Sequence, residues 1–122
     1  MRIVDANVIL RYVLGDHEEH SVKARRIIDE NTVEVPIEVL CEVVFVLSSV
    51  YNVDRKDIGT ELRGFFTNTA CTLPHREAVL KGLEYFMESN LGFVDCILAG
   101  YKYAEGSDID TFDKTLQKFL KR

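Results

Sequence analysis

Four carboxylates stand where short apolar stretches give way to helical periodicity. Asp5 directly follows Arg2-Ile3-Val4, and Asn7 comes two residues later. Glu42 interrupts VLCEVVFVL, residues 39–47, the greasiest run in the chain. Asp95 lies in GFVDCILAG near a helix start, and Asp113 closes Thr111-Phe112-Asp113. In open α/β sheets ligands gather beyond the carboxyl ends of the strands. A helix that follows a parallel strand begins on that same rim. The segment order therefore lets Asp5, Glu42, Asp95 and Asp113 meet at one place. Two like charges 4 Å apart repel by about 4 kcal/mol at an effective dielectric near 20. A bound divalent cation makes such company tolerable, and an all-oxygen set suits Mg²⁺ or Mn²⁺ rather than zinc.

Each acid also has a plain structural use. Asp5 could cap the first helix, and Asp95 and Asp113 could serve as helix-start residues. Glu42 could share a solvent stripe with Glu38 and Ser49, although Phe45 lies within that stripe. Asn7 could satisfy a turn. His17, His20 and His75 fall in helix-start or loop segments and read as surface residues. The sequence offers no Ser/His nucleophile pair and no histidine base, so metal-assisted chemistry is the reading that the acids favour.

The elements that must position these residues follow from periodicity. Residues 2–4, 33–35, 71–73 and 108–110 read as short strands. Helical spacing appears at Val8, Ile9, Tyr12 and Val13, and again over about 17–30, where Asp16 and Glu19 resemble a capping box. Pro36–Val50 reads as a long apolar helix. Asp54 starts another, through Ile58, Leu62, Phe65 and Phe66. Val79, Leu83, Phe86 and Met87 mark the next; Ile97, Leu98, Tyr101 and Ala104 one more; Leu116, Phe119 and Leu120 the last. The only two prolines, Pro36 and Pro74, each follow a strand-like piece and stand where a helix could begin. Strands alternating with helices imply an α/β fold, a parallel sheet covered on both faces.

The chain of 122 residues, 47% apolar, is the size of one domain with a real core, and we expect a single domain over 1–122. Fifteen Lys and Arg against 20 Asp and Glu give a formal charge of −5. Such a chain does not attract nucleic acid through its overall field, so any such partner needs local cations or bound metal. Cys41, Cys71 and Cys96 are scattered in apolar sequence and read as buried thiols in a reducing compartment. There is no signal-peptide pattern and no run long enough to span a bilayer, which points to a soluble, cytoplasmic protein.

Four segments together resemble one family. RIVDANVILRYVL is similar to the first segment of PIN-domain nucleases, in which Asp-x-Asn follows a short strand. PIEVLCEVVFVL, GFVDCILAGYKYAEG and DTFDKTLQKF resemble the second, third and fourth segments, each with its acid, in order and at similar spacing across nearly the whole chain. The length and intervening helices also look like the VapC-like toxins of type II toxin–antitoxin pairs. The resemblance implies a three-layer α/β/α PIN-like domain with a short-stranded central parallel sheet of four to five strands. It implies a ribonuclease with one or two Mg²⁺ or Mn²⁺ ions in an acidic pocket. Carried over, the acids are Asp5, Glu42, Asp95 and Asp113, with Asn7 and Thr111 at supporting polar positions. It further implies RNA as substrate, products with a 5′-phosphate and a 3′-hydroxyl, a homodimer, and a small antitoxin partner. Exposed members of Tyr12, Phe45, Tyr51, Phe65 and Phe66 could form the protein-binding surfaces.

Arg11, Lys23, Arg25, Arg26, Arg76, Lys102 and Lys114 are candidates for gripping an RNA backbone. Asp108 and Asp110 make the last strand more acidic than is usual in the family; Asp110 reads as a solvated edge residue. Two competing readings are a PIN-like module that binds RNA or protein without cutting, and a receiver-like phosphoacceptor domain. The second lacks the adjacent acids and the late-strand lysine expected of it.

Overall fold

Asp5 comes just after the first strand, β1 (Arg2–Ile3), and caps the first helix, α1 (Ala6–Leu14). Its Oδ1 accepts a hydrogen bond from the Val8 N–H at 3.3 Å, satisfying one of the helix's orphan donors. At the other end Gly15 adopts φ 61°, a left-handed conformation that glycine takes without cost, and its N–H returns to the Arg11 carbonyl. The computed structural model describes every residue, Met1–Arg122. Its backbone divides into two compact units, Met1–Pro74 and His75–Arg122.

In the first unit, α2 (Glu18–Asp29) starts one residue later than the expected capping box places it. Asp16 does not cap the helix, because its carboxylate is drawn to the Arg11 guanidinium at 2.7 Å. His17 takes the cap instead: its Nδ1 accepts from the His20 N–H at 3.2 Å. Next, β2 (Val33–Glu34) pairs parallel with β1, placing Arg2 opposite Val33 and Ile3 opposite Glu34. Beyond β2 there is only an isolated bridge between Glu34 and Thr72. The Val35 N–H donates to the Thr72 carbonyl at 2.9 Å, and the Thr72 N–H to the Val33 carbonyl at 2.8 Å.

The sheet is thus smaller than the expected four to five strands: two strands and one bridge. Local causes are visible. Pro36 and Pro74 follow the second and third lanes at once, and proline has no N–H to extend a ladder. Residues 108–110 form no strand, and Asp108 and Asp110 are both exposed. Aspartate is poorly suited to strands, and Ile109 alone gives such a segment little apolar face. β1 is not a buried strand either; Ile3 is exposed and only Val4, just beyond it, is buried.

Two longer helices complete this unit, α3 (Ile37–Ser49) and α4 (Arg55–Asn68). Pro36 begins α3 as expected, and Asp54 caps α4 by accepting from the Asp57 N–H at 2.9 Å. Leu40, Val43, Val44 and Leu47 of α3 are buried, as are Ile58, Leu62, Phe65 and Phe66 of α4. Each such side chain contributes roughly 1.5–3 kcal/mol by leaving water. Tyr12 meets Phe65 edge-on at 5.2 Å between centroids, tying α1 to α4.

The second unit consists of α5 (Arg76–Glu88), α6 (Phe93–Glu105) and α7 (Lys114–Leu120). α5 and α6 approach closely because two glycines leave out their side chains. A Cβ on Gly100 would overlap the Ala78 carbonyl oxygen, and one on Gly82 would lie 3.1 Å from the Ile97 Cα. Phe86 and Phe93 pack edge-on at 5.5 Å beside this seam. His75, which precedes α5, has φ 51°, uncommon for a residue with a side chain. Its Nδ1 stands 2.7 Å from Glu105 Oε2, and its ring packs edge-on against Tyr101.

No helix of the chain is long and apolar enough to cross a membrane.

Candidate active site

Asp5 owes its position to the strand-to-helix turn, and the cap bond uses only one of its oxygens. The side chain is exposed and lines a depression of about 460 Å³ together with Arg2, Ile3, Val4, Val8 and Ile27. A neighbouring hollow of about 190 Å³ shares Val8 and Ile27 and adds Asn7, Arg11, His20 and Lys23. Asp5 and Asn7 therefore open onto adjoining hollows whose charged rims are mostly cationic. Arg11 is already engaged there. It pairs with Asp16, and its Nη2 donates to the Tyr51 hydroxyl at 3.3 Å. The Tyr51 bond, followed by Asp16, holds the guanidinium above its ordinary pKa. Lys23 has only a loose contact with Glu19 at 3.9 Å, and both are exposed. The basic residues expected around the acids omit Arg2, whose sole sequence signal is nearness to Asp5.

Glu42 answers to helical geometry. The core side of α3 carries Leu40, Val43, Val44 and Leu47, and Glu42 lies on the opposite, exposed face. Glu38, Phe45 and Ser49 are exposed on that face too. Phe45 does not break the stripe, as the sequence suggests it should; 66% of it is open to solvent. The apolar run is thus only partly core, and its outward face presents a carboxylate beside an aromatic ring. Cys41 next to Glu42 is half-buried rather than buried, and its thiol is pushed up by burial and by the charge of Glu38.

In the second unit Asp95 is the third residue of α6 and is half-buried. Gly92 occupies the cap position and supplies no side chain, so Asp95 is the acid of that first turn. A negative charge there interacts favourably with the helix macrodipole. Asp113 caps α7, its Oδ1 accepting from the Leu116 N–H at 2.9 Å. The Asp113 N–H in turn donates to Thr111 Oγ1 at 3.0 Å, and the Thr111 carbonyl accepts from Gln117 Nε2 at 2.6 Å. Thr111 thus holds Asp113 in place. Asp108 and Asp110 are exposed.

None of the four acids pairs with a basic side chain. The ion pairs use other carboxylates: Asp16, Glu19, Glu84 and Glu105. In neither unit do three His, Cys, Asp or Glu side chains stand together as a metal site. Asp5 and Glu42 in the first unit, and Asp95 and Asp113 in the second, are each oxygen donors of the kind that Mg²⁺ and Mn²⁺ prefer. The three histidines are exposed, in keeping with the sequence reading; Ser21, next to His20 in the chain, donates its hydroxyl to the Arg11 carbonyl at 2.9 Å rather than to a histidine. His17 serves as a cap, His20 stacks on it, and His75 faces Glu105.

The chain is a mixed α/β fold in which Asp5 and Asp113 cap helices and Asp95 lies in the first turn of another. The model of the PIN domain matches residues 2–120, and the chain belongs to that family. No curated protein and no solved structure gives a match.

Proposed function

We propose that this chain is a divalent-metal-dependent ribonuclease, and that Asp5, Glu42, Asp95 and Asp113 hold Mg²⁺ or Mn²⁺. Family membership across nearly the whole chain, with all four acids present, is the observation that carries the reading. Their freedom from basic partners supports it. A bound divalent ion would supply an activated water and relieve charge on the phosphoryl group. The chain's own contribution is orientation. In Asp5 and Asp113 one oxygen is fixed by a backbone N–H, which sets the direction of the other. Thr111 restrains Asp113, and Asn7 supplies a polar group at the hollow beside Asp5. Lys23 and Arg2 line the same hollows and suit the phosphates of an RNA strand.

The reading extends to one three-layer catalytic domain over 1–122, in a cytoplasmic toxin that acts as a homodimer and is restrained by a small antitoxin. Of the aromatic residues considered for such surfaces, Phe65 and Phe66 are buried, while Phe45 and Tyr51 are exposed. Phe45 and Tyr51 are the members to mutate first.

The direct test is cleavage of a fluorogenic single-stranded RNA in Mn²⁺ by wild type, Asp5→Asn and Asp95→Asn. Asparagine caps a helix as well as aspartate does, so Asp5→Asn keeps the fold. Metal-dependent cleavage lost in both variants supports the reading. Cleavage undiminished in both removes these acids from the mechanism. RNA binding without cleavage by the wild type would favour the non-catalytic module instead.

A further inference from the structure

The second unit carries a feature that none of the four acids touches. A groove of about 310 Å³ is lined by Tyr85, Lys102, Tyr103, Phe119 and Arg122, among others. Lys81 reaches over the same rings. Its Nζ lies 4.3 Å from the Tyr103 centroid and 5.1 Å from that of Tyr85. Arg122 sits over the Phe119 ring at 4.5 Å, and Tyr85 meets Phe119 edge-on at 5.0 Å. Tyr103 is 64% exposed, more than a ring placed only for packing requires. Lys81 also faces Glu84 at 3.6 Å. The charged residues that line the groove, Lys102 and Arg122, are both cationic, in a chain whose formal charge is −5.

Aromatic faces interleaved with cations are the chemistry of single-stranded nucleic-acid binding. Every base has a flat face that stacks on an aromatic ring, whatever its identity, and cations alongside follow the phosphates. A protein strand would use such rings less fully, since most of its side chains are not planar. Lipid would ask for a wider apolar surface than these few rings offer. We propose that this groove binds a single-stranded RNA segment, with a base stacked on Tyr103 and phosphates beside Lys102 and Arg122. The choice of RNA rests on the ribonuclease reading above, and the groove's part is to hold substrate through residues that include none of the four acids.

The test separates the two. Binding of a fluorescein-labelled, unstructured RNA oligonucleotide is followed by anisotropy in EDTA, where no cleavage occurs. Cleavage of the same RNA in Mn²⁺ is measured independently. Tyr103→Ala is expected to weaken binding about tenfold, and Tyr103→Phe, which keeps the ring, to restore most of it. Lys102→Ala is expected to weaken binding and to flatten its salt dependence by roughly 0.7 in the log–log slope. The exposed position of both residues leaves the fold intact, which far-UV circular dichroism verifies. Equal binding by wild type, Tyr103→Ala and Lys102→Ala overturns the groove, whether or not the wild type cleaves. Binding that depends on Tyr103 in a chain that does not cleave keeps the groove and sinks the ribonuclease reading. A wild type that neither binds nor cleaves the RNA overturns both.

Discussion

Replacing Gly100 by alanine should damage this protein far more than one methyl group suggests. Two effects oppose each other. In a helix interior alanine is better than glycine by about 1 kcal/mol. Against that, the new Cβ would overlap the Ala78 backbone oxygen, which belongs to α5 and cannot swing aside as a side chain would. Relief requires α5 and α6 to part by roughly 1 Å, and a gap of that size forfeits a quarter to a half of each dispersion contact across it. Overpacking of a filled interior typically costs about 1–3 kcal/mol, and a backbone clash belongs at the upper end. The net expectation is a loss of about 2 kcal/mol. Two further glycines calibrate it. At Gly82 the nearest atoms are 3.1–3.2 Å away, so a small adjustment offsets the propensity gain and the change should be near zero. At Gly64 of α4 the nearest atom is 3.9 Å away, and alanine should stabilise by about 0.5–1 kcal/mol. Urea unfolding followed by circular dichroism gives the three midpoints. Gly100→Ala should be lowest, Gly82→Ala close to wild type and Gly64→Ala highest. Because α6 carries Asp95 in its first turn, Gly100→Ala should also lower cleavage about tenfold or more while still folded. A Gly100→Ala midpoint at or above wild type would refute the close seam between α5 and α6.

Other expectations can be checked with the same variants and methods. Millimolar Mn²⁺ should raise the melting temperature of wild type, since saturation at a hundred times Kd contributes about 2.7 kcal/mol, and Asp95→Asn should lose most of that rise; an unchanged wild-type melting temperature would count against a metal site. Asp54→Ala should destabilise α4 by about 1 kcal/mol through loss of the Asp57 bond, and Asp54→Asn should not. Burial raises the Cys71 thiol above its ordinary value of 9.0, with Asp29 adding in the same direction and a Thr69 bond opposing. The fold therefore favours the protonated thiol: its contribution is fully present below the ordinary value and fades as pH rises through the folded one, so stability should fall faster on the alkaline side in wild type than in Cys71→Ala. On α3, Phe45→Ala should change stability by less than about 0.5 kcal/mol and Leu47→Ala should cost about 2–5 kcal/mol, which measures directly which face is core.

Much of the helical framework was legible because it obeys local rules. Asp5 and Asp54 announce their helices by capping chemistry, and Pro36 by its fixed φ. Where a second side chain competes, local rules misled. Asp16 has the right spacing from Glu19 for a capping box, yet Arg11 on the preceding helix captures it, and that is a tertiary event. The sheet was overcounted because short apolar stretches look like strands whether or not a ladder forms. Cys71 and Leu73 are buried as the reading requires, but only Thr72 between them makes a bridge. For the candidate site, the types of the four acids were readable and so were their places at or near helix starts. The hydrogen bonds that fix Asp5 and Asp113 follow from those places. The outward turn of Phe45 was not readable, because a phenylalanine within an apolar run gives no sign of which face it will take. The groove at Tyr103 was equally hidden, since Lys81, Tyr103 and Arg122 are brought together only by the packing of three helices.

The double duty of two acids shapes how this sequence can change over time. Positions 5 and 113 are tied to the start of a helix, so even a descendant that no longer cuts anything remains under selection for an acceptor there, and asparagine or serine would do. Position 42 carries no such obligation. Among relatives that have abandoned chemistry, the glutamate of the third helix should be the first to drift, and its replacement is the mark by which a retired member could be told from a working one.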